Sequence, residues 1–346
     1  MHDILEFSRV ELAAWFEKNG MKPFRAKQIF KWMYIRNADG FEQMTDLGKE
    51  LRNTLSETFS IPRLCLERRE KSSDGTQKFL FRLADGQHIE SVLIPEKDHY
   101  TLCISSQVGC AQNCSFCLTA KGGFKRNLSA SEIISQIRDV KHLLSPEHRD
   151  HLLSNIVFMG MGEPLANYDN VVKAIRVITD TDFGLKFSPR RVTVSTAGLL
   201  PQMEKLGRDT PVNLAVSLNA TEDETRSKLM PINRKYPLKD LLETCRRYEM
   251  KPRNKITFEY ILIKGINDTR EDALRLVKLI APIKAKVNLI AFNENDKVEY
   301  KSPSSQQVSD FLQILLDRKV TAITRKSKGR DISAACGQLK AKLNDD

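Results

Sequence analysis

After Thr101 the chain returns again and again to short runs of β-branched and apolar residues: Ile156-Val157-Phe158, Val192-Thr193-Val194, Leu214-Ala215-Val216, Ile256-Thr257-Phe258, Val287-Asn288-Leu289 and Val320-Thr321-Ala322. Helical periodicity fills the intervals, clearest in Leu238 to Tyr248 and Asp272 to Ile280, and Ser129 with Glu132 spells a capping box ahead of Ile133, Ile134 and Ile137. Strands separated by helical crossovers pair in parallel, which leads to an open or closed α/β barrel. In that architecture function gathers at the carboxyl ends of strands. Gly160-Met161-Gly162-Glu163-Pro164, Ser195-Thr196, Ser217-Leu218-Asn219 and Asn293 all fall there.

The chain before the barrel reads differently. Its first sixty residues are helical, with Pro23 opening a helix that places Ala26, Ile29, Phe30, Met33 and Tyr34 on one face and Arg25, Lys27, Lys31 and Arg36 on others. From Lys78 to Ile94 the period drops to two, with Phe79, Phe81 and Leu83 alternating before Asp85-Gly86, and Ile89, Ser91 and Leu93 after it, a β-hairpin pattern. Glu90 lies across that second strand from Ile89. The expected division is residues 1–62 as a helical accessory domain, 63–100 as a hairpin extension, 101–325 as the barrel and 326–346 as a C-terminal segment.

A hydrophobic fraction of 41%, no apolar run of membrane-spanning length and an acidic start at Asp3 and Glu6 fit a cytoplasmic protein. The formal charge of +11, from 55 Lys and Arg against 44 Asp and Glu, is enough to attract a polyanion, with nucleic acid the first candidate. Bases recur beside the expected rim: Lys121, Lys125, Arg126, Arg190, Arg191, Arg234, Lys235, Arg325, Lys326, Lys328 and Arg330. Phosphate contacts from such groups would position a nucleic acid without reading its sequence. The six histidines, His148 and His151 among them, form no ligand pattern and read as surface residues.

Seven cysteines in such a chain are better read as ligands or catalysts than as a disulfide scaffold. Cys110, Cys114 and Cys117 form Cys-x3-Cys-x2-Cys, which offers an iron–sulfur cube three thiolates and leaves one iron open to a chelating small molecule. Cys65 and Cys245 read as small core residues. Cys103 and Cys336 need another account. A rival reading makes Cys103, Cys110, Cys114 and Cys117 four zinc ligands of an RNA-binding module, although Cys-x6-Cys-x3-Cys-x2-Cys is an odd zinc spacing.

Several segments together carry a family likeness: Cys103-Ile104-Ser105-Ser106-Gln107-Val108-Gly109-Cys110, the cysteine run, Gly160 to Pro164, Phe24 to Phe30, Met230-Pro231-Ile232-Asn233 and Ala334-Ala335-Cys336-Gly337-Gln338-Leu339. Over nearly its whole length the chain resembles the RlmN-type radical S-adenosylmethionine (SAM) RNA methyltransferases. The resemblance implies a partial (β/α)6-type barrel, a [4Fe–4S] cluster on Cys110, Cys114 and Cys117, and SAM held near Gly162, Glu163, Ser195, Ser217, Leu218, Asn219 and Asn293. It implies methylation of carbon 2 of adenosine in 23S ribosomal RNA and of the adenosine 3′ of the anticodon in transfer RNA, with two SAM per turnover. By the same likeness Cys336 takes a methyl group from one SAM, and an adenosyl radical from the second removes hydrogen from that methyl. The resulting carbon radical adds to the base.

Cys103 then resolves the covalent adduct through a transient disulfide with Cys336, and Glu90 is the proton acceptor. A flavodoxin or ferredoxin as electron donor and a monomeric enzyme complete the implied picture. The chain departs from the family pattern at Asn219, where many relatives have histidine, and at Glu294, where proline is common. A related branch methylates carbon 8 of the same ribosomal adenosine; the N-terminal segment and Ser105-Ser106 look more like the carbon 2 enzymes.

Overall fold

The computed structural model describes residues 1–144, 152–295 and 297–341; His148 and His151 lie outside the described residues. Seven strands, His99–Cys103, Leu152–Phe158, Val192–Thr196, Asn213–Ser217, Ile256–Leu262, Ala285–Ala291 and Ala322–Thr324, neighbour one another in chain order, every pairing parallel. Helices Ala130–Leu144, Tyr168–Thr179, Leu200–Asp209, Leu238–Arg247, Arg270–Ile280 and Ser305–Asp317 occupy the crossovers. Among the described residues the seventh strand does not pair with the first, so the barrel is partial.

Alternation along the strands sorts the two sides. Phe258, Tyr260 and Leu262, like Val192 and Val194 or Leu214 and Val216, join the apolar core beneath the helices. Their neighbours Glu259 and Ile261, with Ser195 and Ser217, line a cavity inside the barrel. The outward rows need branched apolar side chains to pack against helices, while the inward rows are free to be polar.

Beyond His99–Cys103 the sheet continues antiparallel through His88–Pro95, Gln77–Arg82 and Cys65–Lys71. The expected hairpin is thus three strands wide. Its outer strand, Cys-Leu-Glu-Arg-Arg-Glu-Lys, is exposed at the edge and carries charges that discourage edge-to-edge pairing, which hid it from an apolar pattern. Cys65 sits there exposed, its Sγ 3.5 Å from Arg82 Nη2, and not in the core as its sequence neighbours suggested. Cys245, on Leu238–Arg247, is buried as expected.

Both faces of the extension are covered. Phe79, Phe81, Ile89 and Leu93 join the main core, while Lys78 and Glu90 on the other side meet the C-terminal segment through Ile332 O, Lys340 N and Ala341 N.

Among the N-terminal helices Arg9–Lys18, Arg25–Phe30 and Lys49–Thr58, the second buries Ala26, Ile29 and Phe30, and the helical turn Lys31–Ile35 that continues it buries Met33 and Tyr34, all in the same continuous core. Polar ties fix them to the barrel: Ser131 N donates to Glu6 (3.0 Å), Ser131 Oγ to Asp3, and Arg63 pairs with Asp139 at 2.6 Å. Among the described residues no helix is long and apolar enough to cross a membrane.

Candidate active site

The cysteine loop is fastened at its base by a short antiparallel pair, Gln107–Gly109 with Phe124–Asn127. Cys110 N donates to Gly123 O (3.1 Å), and a Cβ on Gly109, whose φ is +74°, would lie 1.7 Å from that oxygen. Only glycine lets the two ends approach so closely. The loop then turns Cys110, Cys114 and Cys117 toward the cavity at the carboxyl ends of the strands. Burial pushes the Cys110 thiol up to about 12 and raises Cys114 well above its ordinary range.

Opposite, the loop after Leu152–Phe158 brings Gly162 and Glu163 to the wall. Gly162 has φ +99°, and a Cβ there would meet Gln107 Cβ at 2.5 Å. Glu163 is buried, with Oε1 accepting from Leu165 N (3.0 Å) and Oε2 from Ala197 N (2.7 Å). Burial outweighs those bonds and lifts its carboxyl to about 7. Ser195 and Ser217 line the same cavity from neighbouring strands, although they are 22 positions apart in the sequence.

From Arg325 to Ala341 the described chain runs without helix or strand across the barrel mouth. Gly337 O accepts from Leu118 N (2.8 Å), Leu339 O from Thr119 Oγ1 (2.7 Å) and Cys336 O from Asn293 Nδ2 (3.2 Å). These bonds lay Cys336 against the cysteine loop, and Cys336 and Cys103 line the cavity together. By surface area Cys336 counts as exposed, but the space it faces is the cavity, and the surrounding protein raises its thiol against the pull of Arg325. Burial pushes Cys103 up to about 12. All seven cysteines are free thiols.

Four expected site residues stand behind the wall. Leu218 is packed in the core. Asn219, in a left-handed conformation with φ +57°, accepts from Ile261 N (2.9 Å) and approaches Met230 Sδ at 3.2 Å, so it braces two strands. Asn293 is occupied by Cys336 O and by Arg330 Nε (3.1 Å). Glu90 is buried beneath the C-terminal segment, accepting from Lys340 N (2.9 Å) and Ala341 N (3.1 Å), with Lys78 Nζ at 3.4 Å.

The basic residues also divide. Arg190 and Arg191 precede Val192–Thr196 and so lie at the amino ends of the strands, away from the cavity. Arg126 is held by Asp85 (2.6 Å) and Glu132 (2.8 Å), and Lys328 by Pro95 O and Glu96 (3.6 Å). Arg325 lines the cavity instead of the outer surface. Lys121, Lys125, Arg234, Lys235, Lys326 and Arg330 remain exposed near the mouth. Sequence reasoning missed Glu259 on the inner wall and Arg226 beneath the rim; the polar interruption of an apolar strand at Glu259 was the available signal.

Residues 2–61 match the ribosomal RNA large subunit methyltransferase N-terminal domain, and residues 104–277 match the radical SAM superfamily. Over 341 residues the chain is 56% identical to the dual-specificity RNA methyltransferase RlmN of Desulfosudis oleivorans, covering 99% of this chain and 91% of that protein. The chain belongs to the RlmN family of radical SAM RNA methyltransferases. The RlmN of Geobacter sulfurreducens is likewise 56% identical, across 99% of this chain and 93% of that protein. A crystal structure of a radical SAM methyltransferase from Sphaerobacter thermophilus superposes with a TM-score of 0.91 at 41% identity, covering 99% of this chain and all of that one.

The three thiols on the cysteine loop are the donor type that an iron–sulfur cube takes. Among the described residues no three His, Cys, Asp or Glu side chains converge on one metal-ion position. A zinc site needs its sulfurs gathered around one atom at about 2.3 Å, whereas a cube attaches each thiolate to a different iron. Three soft donors on one loop, facing a cavity broad enough for a second ligand, suit the latter.

Proposed function

We infer that this RlmN-family chain methylates carbon 2 of adenosine in 23S ribosomal RNA and in transfer RNA beside the anticodon, with Cys336 as methyl carrier. One observation supports the reading above the rest: a thiol from the extreme C-terminal segment and a thiol from the first barrel strand face the same cavity as the three-cysteine loop. Carbon 2 lies between two ring nitrogens and is a poor nucleophile, so a sulfonium methyl cannot be transferred to it by simple displacement.

A [4Fe–4S] cluster on Cys110, Cys114 and Cys117 would supply the electron that cleaves SAM. Glu163 would set its carboxylate against the ammonium of that SAM, and Ser195 and Ser217 would add hydroxyl contacts. Cys336 Sγ accepts and presents the methyl group. Once the base radical has given up one electron to the cluster, Cys103 sulfur attacks Cys336 sulfur; the carbon–sulfur bond breaks with its electron pair going to the methylene carbon, which takes a proton to become the methyl group, and the disulfide left behind is reopened by a thiol reductant. Glu90 takes the carbon 2 proton, which requires Lys340 and Ala341 to release its carboxylate. The exposed bases at the mouth would hold RNA phosphates. A cytoplasmic, monomeric enzyme drawing electrons from a flavodoxin or ferredoxin completes the reading.

Anaerobic turnover with RNA and methyl-labelled SAM is the decisive experiment. The label should appear on adenine carbon 2 by mass spectrometry, from brown protein holding about four iron per chain. Label on carbon 8, or colourless protein with one zinc, sinks the reading.

Glu163 gives the expected pH dependence. Its folded carboxyl is raised above the ordinary 4.5 to about 7, so the stability it contributes is full below 4.5 and is lost as pH rises through about 7. SAM binding runs the other way, because the ammonium needs the ionised form. Affinity should hold above pH 7 and weaken toward tenfold per unit below it. Titration calorimetry on Glu163→Gln should give a weaker but flat profile; a slope like that of the wild type would remove Glu163 from the contact.

A further inference from the structure

Two charged side chains on the inner wall have no part in the chemistry above. Glu259, on Ile256–Leu262, is 6% exposed; its Oε1 accepts from Asn288 Nδ2 at 2.9 Å, and its Oε2 is buried with no hydrogen-bond partner among the described residues. Asn288 Oδ1, beside it on the next strand, is also buried without a partner. Arg325 follows Ala322–Thr324, its backbone N fixed to Leu289 O at 2.8 Å, and its guanidinium reaches only Met159 Sδ, at 3.9 Å, among the described residues. Glu259 and Arg325 feel each other's charge without forming an ion pair, and Cys103 and Cys336 feel Arg325 as well. All four line one cavity.

A buried carboxylate oxygen without a donor forfeits its hydration with nothing in return. It persists where a ligand completes it. The missing ligand must bring a hydrogen-bond donor for Glu259 and an acceptor for Arg325, side by side, next to the methyl-carrying sulfur. Adenine's Watson–Crick edge has that pattern: the 6-amino group donates, N1 accepts, and carbon 2 is the next atom along the ring. Guanine and uracil reverse it, setting a carbonyl against the carboxylate and an N–H against the guanidinium. Cytosine shares the donor and acceptor but carries an oxygen, not hydrogen, on the carbon beside N3.

We propose that Glu259 and Arg325 select the target adenine of the RNA, Glu259 accepting from its 6-amino group and Arg325 donating to N1. The proposal rests on the carbon 2 methylation inferred above. It also gives Arg325 a part in the reaction: a cation at N1 withdraws electron density from carbon 2, the atom that must accept a carbon radical. SAM's own adenine shows the same edge. The RNA base is favoured because this pair shares its wall with Cys103 and Cys336, the two thiols that handle the base.

The test compares RNA carrying adenosine or purine riboside, which lacks the 6-amino group, at the target position, under anaerobic turnover with SAM. For the wild type, kcat/KM should fall roughly 10- to 100-fold on the purine RNA. Glu259→Ala should lose a similar factor on adenosine RNA and treat the two RNAs alike, while Glu259→Gln keeps part of the preference. Arg325→Met should slow both RNAs. Intact mass of each variant, showing methyl on Cys336, reports that it folds and uses SAM. Equal wild-type rates on the two RNAs overturn the proposal, as does a preference that survives in Glu259→Ala. Loss of the Cys336 methyl in Glu259→Ala assigns the carboxylate to SAM's adenine and overturns it too. No carbon 2 methylation of adenosine RNA by the wild type would instead overturn the parent reading and this one with it.

Discussion

Cys336→Ala protein is expected to keep its iron and its affinity for SAM while RNA methylation falls below about one-thousandth of the wild-type rate. The side chain is not part of the packed core. It faces the cavity, and the bonds that hold its segment come from main-chain groups: Cys336 O to Asn293, Gly337 O to Leu118 N and Leu339 O to Thr119. Removing one sulfur therefore leaves the fold and the three-cysteine loop intact but deletes the atom that accepts the methyl group. A covalent carrier cannot be replaced by proximity, so the loss should be near total. Cys103→Ala should behave differently. With the carrier present and its partner thiol gone, covalent protein–RNA adduct should accumulate and appear as a band resistant to denaturing electrophoresis. Substantial methylation by Cys336→Ala would remove the carrier role altogether.

The contrast between these two thiols and Cys65 shows what sequence can and cannot convey here. Cys110, Cys114 and Cys117 are legible because their spacing is local: one loop, closed by Gly109 against Gly123, fixes where they point. The strand and helix alternation is legible for a similar reason, since each outward row repeats the same packing against its own helix. Cys65 is exposed, against the expectation from its apolar neighbours, because its edge strand pairs on one side only, which the position of the strand in the sheet decides and its neighbours do not.

Arg325 and Arg191 illustrate the same limit. Both are bases near a strand end, but Arg191 precedes its strand and Arg325 follows one, so they stand at opposite ends of the barrel. Glu259 differs again. A lone carboxylate in an apolar strand is conspicuous in sequence, yet only the parallel register of Glu259 with Ser217 and Asn288 tells that it joins an inner wall. Where the chain's own periodicity decides orientation, function could be read; where distant strands or the C-terminal segment decide it, as for Glu90 under Lys340, it could not.

The largest loss of stability is expected at Arg226, a residue remote from the chemistry. It lies in the short helix Asp223–Leu229 and is 1% exposed. Its Nε donates to Leu218 O (3.1 Å), its Nη2 to Ala197 O (2.8 Å) and Ser217 O (3.2 Å), and its Nη1 to Asn233 Oδ1 (2.9 Å). The three carbonyls come from the ends of Val192–Thr196 and Asn213–Ser217, so one planar fork ties together the loops that present Ser195 and Ser217. Burial pulls its pKa down to about 10, which leaves it charged at neutral pH. Arg226→Met would strip the guanidinium donors from Ala197 O, Ser217 O and Asn233 Oδ1, leaving Leu218 O only its bond from Ala220 N (2.8 Å), and the expected cost is about 3–5 kcal/mol. Arg226→Lys should recover little, because a single ammonium cannot reproduce the fork. Lys228→Met, on the same helix, removes only an exposed pair with Glu224 and should leave stability essentially unchanged. Denaturant midpoints of the three variants separate these cases: equal midpoints for Arg226→Met and Lys228→Met would mean that the rim is held by packing and not by this arginine.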